Sequence, residues 1–286
     1  MPKRLPRART LKGDPKLAHY DSGGGAPGEP PIVLLHQSLA RSEDWENIFP
    51  RLATRYRTVA YDARGHGRSG RAADYSLRAF ADDALRMLRE IVKEPALLVG
   101  HSLGALAALV AAGEAPDLVR GLVLEDPALG YAKAWDPAHY AALREGIAST
   151  EPGVLAKAVS KFSLPSPGPH GERTYGELRG FYAAERVVTY FRDVDPAFID
   201  ARTAGDASAA ALITDAIAKV RAPVLVLAGE PRLGGAVDDS AEWRLKKLPD
   251  VIVKRFPGSG HLLHGFRPEQ FIENIEPFLR KLREGG

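Results

Sequence analysis

Ser102 sits where a nucleophile could be built. In Leu97-Leu-Val-Gly-His-Ser-Leu-Gly104 an apolar run leads into the serine, a glycine stands two residues away on each side, and a helix-forming stretch follows. A serine at so tight a strand-to-helix turn occupies strained backbone, so its neighbours must be small, and its hydroxyl projects above the sheet. The N-terminus of the following helix favours the negative charge that develops when such a hydroxyl attacks a carbonyl. A bare Gly-x-Ser-x-Gly also arises as a glycine-rich turn capped by serine, and the strand before it and the helix after it set this one apart.

A serine hydroxyl needs a base whose pKa lies near the working pH, which points to histidine. Of the eight histidines, His261 lies in Phe256-Pro-Gly-Ser-Gly-His-Leu-Leu-His264, just after the last strand-like run. A loop there can reach back over the C-terminal edge of a parallel sheet. His261 is therefore the favoured base, with His264, one helical turn on, as the second choice. His36, His66 and His101 read as loop-packing or hydrogen-bonded residues. No HxH or HExxH spacing and no cysteine occurs, so neither metal nor cofactor is expected.

These residues need a repeating strand–helix frame to bring them together. Short apolar runs at residues 31–36, 57–62, 96–100 and 119–124 alternate with amphipathic stretches, the pattern of parallel strands joined by helical crossovers. Helices are expected over 45–55, from the N-cap Ser76 to about Val92, and over 103–113. The rhythm changes over 128–219, which reads as an inserted helical lid rich in aromatics. Strands resume at 223–228 and 251–256, and a helix over 268–282 closes the α/β fold. Residues 1–15 form a basic, proline-interrupted arm, expected to be loose, and the core spans 16–127 and 220–286.

With 286 residues, 45% hydrophobic and 26% charged, the chain is long enough to bury a large core. Its formal charge of +3 is small and lies largely in the first sixteen residues, so a nucleic-acid role is disfavoured. No run approaches the ~20 apolar residues that span a bilayer. A cytoplasmic protein without a membrane span is expected, and a homodimer is left open.

Gly100–Gly104 and Gly258-Ser-Gly-His261, together with Asp62-Ala-Arg-Gly-His-Gly-Arg-Ser69, resemble the α/β-hydrolase family from about Lys16 to Leu282. The resemblance implies a mostly parallel sheet with helices on both faces, a lid, and a structural role for the 62–69 loop. It also implies an acid after the strand 223–228, within a Gly-x-x-Asp pattern, but the chain reads Gly229-Glu-Pro-Arg232. Arginine cannot accept the Nδ1 proton of the histidine. Asp126, at the end of the strand after the nucleophile's helix, is the favoured substitute, because some branches of the family place their acid there. Glu125, Glu230, Asp238 and Asp239 remain alternatives. Strand alternation would send Glu125 and Asp126 to opposite faces.

One oxyanion donor should be the N–H of Leu103, the residue after the nucleophile. The family's second donor follows a His-Gly pair. Here the segment is His36-Gln37-Ser38, which makes Ser38 N–H the candidate and leaves the path of the loop to be established. The lid aromatics Tyr131, Trp135, Tyr140, Phe162, Tyr175, Phe181, Tyr182, Tyr190 and Phe191 favour an uncharged, moderately hydrophobic substrate. The expected reaction is serine-dependent hydrolysis of a carboxylic ester or lactone through an acyl-enzyme. Carbon–carbon bond hydrolysis, cofactor-free dioxygenation and a ligand-receptor role on the same fold are the alternatives.

Overall fold

Residues 96–101 are buried at every position, which a strand achieves only when both faces of its sheet are covered. Alternation then sorts the side chains. Leu98 joins Val33, Leu35, Leu122 and Val226 in one apolar cluster, while Leu97 and Val99 join Ile32, Leu34, Val123 and Leu225 in another. The two clusters are the cores above and below a single sheet.

The computed structural model describes residues 5–131, 133–134, 136–151, 153–161, 163–165, 172–174 and 188–284. Its strands are β1 (Arg9–Leu11), β2 (Leu17–Asp21), β3 (Ile32–Leu35), β4 (Thr58–Tyr61), β5 (Ala96–His101), β6 (Val119–Glu125), β7 (Ser163–Pro165), β8 (Glu172–Thr174), β9 (Val224–Ala228) and β10 (Val251–Arg255). Eight of them form one sheet in the order β1-β2-β4-β3-β5-β6-β9-β10, and β7 and β8 make a separate hairpin. β1–β2 and β2–β4 pair antiparallel. From β4 to β10 every pairing is parallel. This is the α/β-hydrolase fold, with all parallel strands ending at one edge, where loops can converge.

The helix Leu103–Glu114 is buried from Leu103 through Gly113; a helix apolar on all sides belongs in the interior. It is overlaid by the helix Ala209–Lys219, and a side-chain carbon at Gly113 would lie 2.9 Å from Ala216 Cα. The last stretch of the 128–219 insertion is thus shared with the core. Ser76 caps the helix Leu77–Arg86, its Oγ accepting from Ala79 N–H at 3.3 Å, and a π-helical turn continues to Val92.

Two expectations are corrected. The continuous helix over 45–55 is instead a 3-10 turn, Ser42–Trp45, and a short helix, Phe49–Leu52. Pro50 lacks an N–H and occupies the first turn of the second piece, where proline starts a helix rather than continuing one. The arm is not loose from residue 9 onward. Arg9–Leu11 pair with β2, and the Arg86 guanidinium donates to Pro15 O at 2.9 Å and Lys12 O at 3.1 Å. Of the lid aromatics, Trp135, Phe162, Tyr175, Phe181 and Tyr182 lie outside the described residues. Among the described residues no helix is long and apolar enough to cross a membrane.

Candidate active site

Ser102 stands between β5 and the helix Leu103–Glu114 with φ 52° and ψ −112°, a conformation that costs free energy for any residue with a Cβ. The flanking glycines permit it. A Cβ on Gly100 would lie 2.4 Å from Gly104 O, and one on Gly104 would lie 2.2 Å from Leu35 O. The turn is pinned by Ser102 N–H donating to Glu125 O at 3.0 Å.

His261 Nδ1 lies 2.6 Å from Asp126 Oδ2, with the Asp126 side chain fully buried and His261 about one-third exposed. Asp126 also accepts from Gly229 N–H at 3.0 Å and Ala236 N–H at 2.6 Å. The loop after β9 therefore supplies backbone amides to a carboxylate that comes from β6. Asp126 has φ 42°, so it has left the pleated strand, and strand alternation no longer governs where its side chain points.

Glu125 and Asp126 take separate sets of partners, and only Asp126 meets His261. Glu125, fully buried, accepts from Leu263 N–H at 2.7 Å and His264 N–H at 2.9 Å, and its Oε2 lies 2.7 Å from His264 Nδ1. The other candidate acids face elsewhere. Glu230 accepts from Arg232 Nε at 2.6 Å and Gly258 N–H at 3.1 Å. Asp238 caps the helix Asp239–Leu245 through Ala241 N–H at 2.8 Å, and Asp239 is an exposed residue of that helix.

His264 is fully buried and stacks on Trp45 with ring centroids 4.0 Å apart. Burial would lower its pKa, but the Glu125 charge and the hydrogen bonds to Asp44 and Glu125 outweigh this and push it up to about 10. Burial likewise opposes ionisation of Glu125, yet the His264 charge holds its carboxyl below the usual range. The pair is an imidazolium and a carboxylate. His264 Nε2 points to Asp44, 3.2 Å from its backbone oxygen and 3.6 Å from Oδ2.

The ligand atoms of Asp44, His101 and His264 come within 4.8 Å of one another. Both ring nitrogens of His264 face oxygens, Nδ1 that of Glu125 and Nε2 that of Asp44, so the cluster reads as a hydrogen-bonded network. His101 Nε2 lies 2.8 Å from His261 O, and desolvation lowers the ring's pKa to about 4. Neutral His101 thus donates to the carbonyl of the residue whose side chain meets Asp126. Sequence reading placed His101 among the hydrogen-bonded loop residues and missed this particular partner, which no spacing encodes.

The loop after β3 is built on two further neutral histidines. His36 Nε2 accepts from Ala63 N–H at 2.9 Å and its Nδ1 donates to Gln37 O at 2.7 Å; His66 accepts from Leu39 N–H at 3.2 Å and donates to Arg64 O at 2.8 Å. Burial lowers the pKa of both, that of His66 to about 3. The positive φ of this loop falls at Leu39, 64°, not at Gln37. Glutamine in the usual glycine position is therefore not strained. Leu39 N–H is taken by His66, whereas among the described residues no acceptor meets Ser38 N–H. Leu103 is the first residue of its helix, where an N–H has no intrahelical partner.

The 62–69 loop is scaffolding. Arg64 makes a buried fork to Asp83, both bonds 2.8 Å, and Asp62 accepts from Ser42 N–H at 2.8 Å and Arg68 N–H at 2.9 Å. A Cβ on Gly67 would lie 2.4 Å from Asp62 Oδ2.

Comparison with known proteins agrees with this architecture. The family profile described as alpha/beta hydrolase fold matches residues 30–268. The chain is similar to 2-(acetamidomethylene)succinate hydrolase of Mesorhizobium japonicum, 30% identical over 88% of this chain and 89% of that protein. Among solved structures, E-2-(acetamidomethylene)succinate hydrolase superposes with TM-score 0.67 at 25% identity, covering 96% of this chain and 99% of the other. A thermophilic esterase from Thermogutta terrifontis superposes with TM-score 0.69 at 21% identity, covering 97% and 99%, a likeness of fold alone.

Proposed function

Because this chain belongs to the α/β-hydrolase family, and is a hydrolase of that fold, we propose that it cleaves a carboxylic ester or lactone through an acyl-enzyme formed on Ser102. The observation that carries this reading is the 2.6 Å contact of His261 Nδ1 with Asp126. It fixes the tautomer that leaves Nε2 free to accept a proton. His261 deprotonates Ser102 as Oγ attacks the carbonyl carbon. Asp126 stabilises the imidazolium that forms and does not itself take the proton.

The tetrahedral oxyanion forms against Leu103 N–H and Ser38 N–H, two amides that meet no acceptor among the described residues. His261 returns the proton to the departing alcohol, then deprotonates the water that attacks the acyl carbon. Ser102 leaves as the free hydroxyl, and the product acid is released. The lid role falls to the described residues 188–204, which dock on the loop after β4 through Asp195 N–H to Gly65 O at 2.7 Å and Tyr75 Oη to Asp195 Oδ2 at 2.7 Å.

The name of the Mesorhizobium relative favours a second reading on the same residues, in which the bond cleaved belongs to a small acylamino dicarboxylate. The two readings share Ser102, His261 and Asp126 and differ in the group that departs. Fluorophosphonate labelling followed by turnover of p-nitrophenyl esters, a lactone and 2-(acetamidomethylene)succinate separates them. Wild-type ester turnover by Ser102→Ala would sink the acyl-enzyme assignment under either.

A further inference from the structure

The last residue of β6, Glu125, and the residue after it, Asp126, are consecutive carboxylates that meet two histidines three residues apart in one segment. Asp126 takes the partly open His261, and Glu125 takes the sealed His264. Only the first of these histidines can reach a substrate, since the His264 ring is fully buried and covered by Trp45 and by Phe271, whose ring centroid is 6.0 Å away.

We propose that Glu125 and His264 are positioning residues. Their buried ion pair clamps the loop that carries His261 onto the end of β6, and so holds the His261 ring in register with Ser102. The role rests on the reading of His261 as the base of a serine hydrolase.

Three connections make the clamp rigid. Glu125 uses Oε1 for two successive amides, Leu263 and His264, and Oε2 for the His264 ring. A carboxylate with both oxygens engaged has little rotational freedom left. The far side of the ring is closed by Asp44 of the 3-10 turn after β3. The third connection runs back to the nucleophile, because Glu125 O accepts from Ser102 N–H while neighbouring His101 donates to His261 O. One residue, Glu125, thereby ties the backbone of Ser102 to the loop of His261.

The groups facing His264 are Glu125 from β6, Asp44 from the turn after β3, and neutral His101 from β5, beside the rings of Trp45 and Phe271. Asp44 already accepts from Gln37 Nε2 at 3.4 Å, which links the clamp to the loop holding Ser38. Removing the pair therefore loosens base and oxyanion donor together. It leaves the lid and the substrate-facing surface in place.

The test is the rate of Ser102 labelling by a fluorophosphonate, resolved into kinact and KI, on protein whose folding is verified by thermal melting. Two variants are used. Glu125→Gln keeps an acceptor for the Leu263 and His264 amides but removes the charge. Glu125→Met/His264→Phe replaces the pair by apolar groups that preserve the stack on Trp45 and also frees the Leu263 and His264 amides, so its folding is read against Glu125→Gln. A displaced base costs on the order of 100-fold, so kinact is expected to fall roughly 10- to 100-fold in the double variant and by less in Glu125→Gln, with KI constant.

A folded double variant with wild-type kinact would overturn the positioning role. A loss confined to KI would do the same, because it would place the pair in substrate binding. Failure of wild type to label, or labelling that survives His261→Ala, would instead remove the reading of His261 as base and the positioning role with it.

Discussion

Asp126 Oδ2 lies 2.6 Å from His261 Nδ1, although Asp126 belongs to the end of β6 and the family's usual acid position, after β9, is occupied by Arg232. The Arg232 side chain is three-quarters exposed and paired with Glu230.

Replacing Asp126 by Asn should therefore be far more damaging than replacing any other candidate acid. An asparagine amide presented to Nδ1 selects the wrong tautomer, and kcat should drop by about 10⁴-fold. Glu230→Gln and Asp238→Asn should retain kcat within about twofold, since neither carboxylate meets His261 and exposed substitutions are usually close to neutral. Steady-state kinetics on a p-nitrophenyl ester decides between them.

Ser102→Ala and His261→Ala should each abolish fluorophosphonate labelling and lower kcat by roughly 10⁵-fold or more, and the double variant should be no worse than either alone, because the two act as a unit. Additive losses would show that they act separately.

The buried His264–Glu125 pair gives stability a defined pH dependence. His264 is raised from 6.5 to about 10 on folding, so its contribution is complete below 6.5 and is lost as pH rises through about 10. Glu125 is lowered from 4.5; its contribution is present above 4.5 and lost as pH falls. Urea midpoints measured from acid to alkaline pH should decline on both sides of that window in wild type. The alkaline decline should be shallower in His264→Phe.

Gly104→Ala should destabilise the fold by about 3 kcal/mol or more, at the upper end of overpacking. The new methyl would be placed 2.2 Å from Leu35 O, and neither backbone segment can move without disturbing the turn at Ser102. Gly24→Ala, where nothing lies within 4 Å, is the control in thermal melts.

Much of this geometry could be read from the residues themselves. Strands β3, β4, β5, β6, β9 and β10 lie within a residue of their apolar runs, the first five because strands buried on both faces are continuously apolar, and β10 as a partly exposed edge strand. The turn at Ser102 was equally readable, since Gly100 and Gly104 record a close approach that no larger residue permits. Glu125 and Asp126 were not. The partner of Glu125 lies 139 residues away in another segment, and the direction of Asp126 depends on its φ of 42°, a property of where β6 stops that alternation in the sequence does not carry. The 45–55 segment misled for a related reason, as its apolar spacing suits a helix but Pro50 starts a turn within it.

What Asp126 takes from the loop after β9 is two backbone amides, Gly229 and Ala236. Main chain can keep those positions while the side chains at 230–232 change. Under the proposed assignment the stretch need not supply the acid, and it becomes a place where an engineer can rewrite the rim of the site while the Asp126–His261 contact is kept. Arg232, exposed at that rim and paired with Glu230, shows what the proposed arrangement tolerates: with the acid assigned to Asp126, a charge at 232 does not have to serve the histidine.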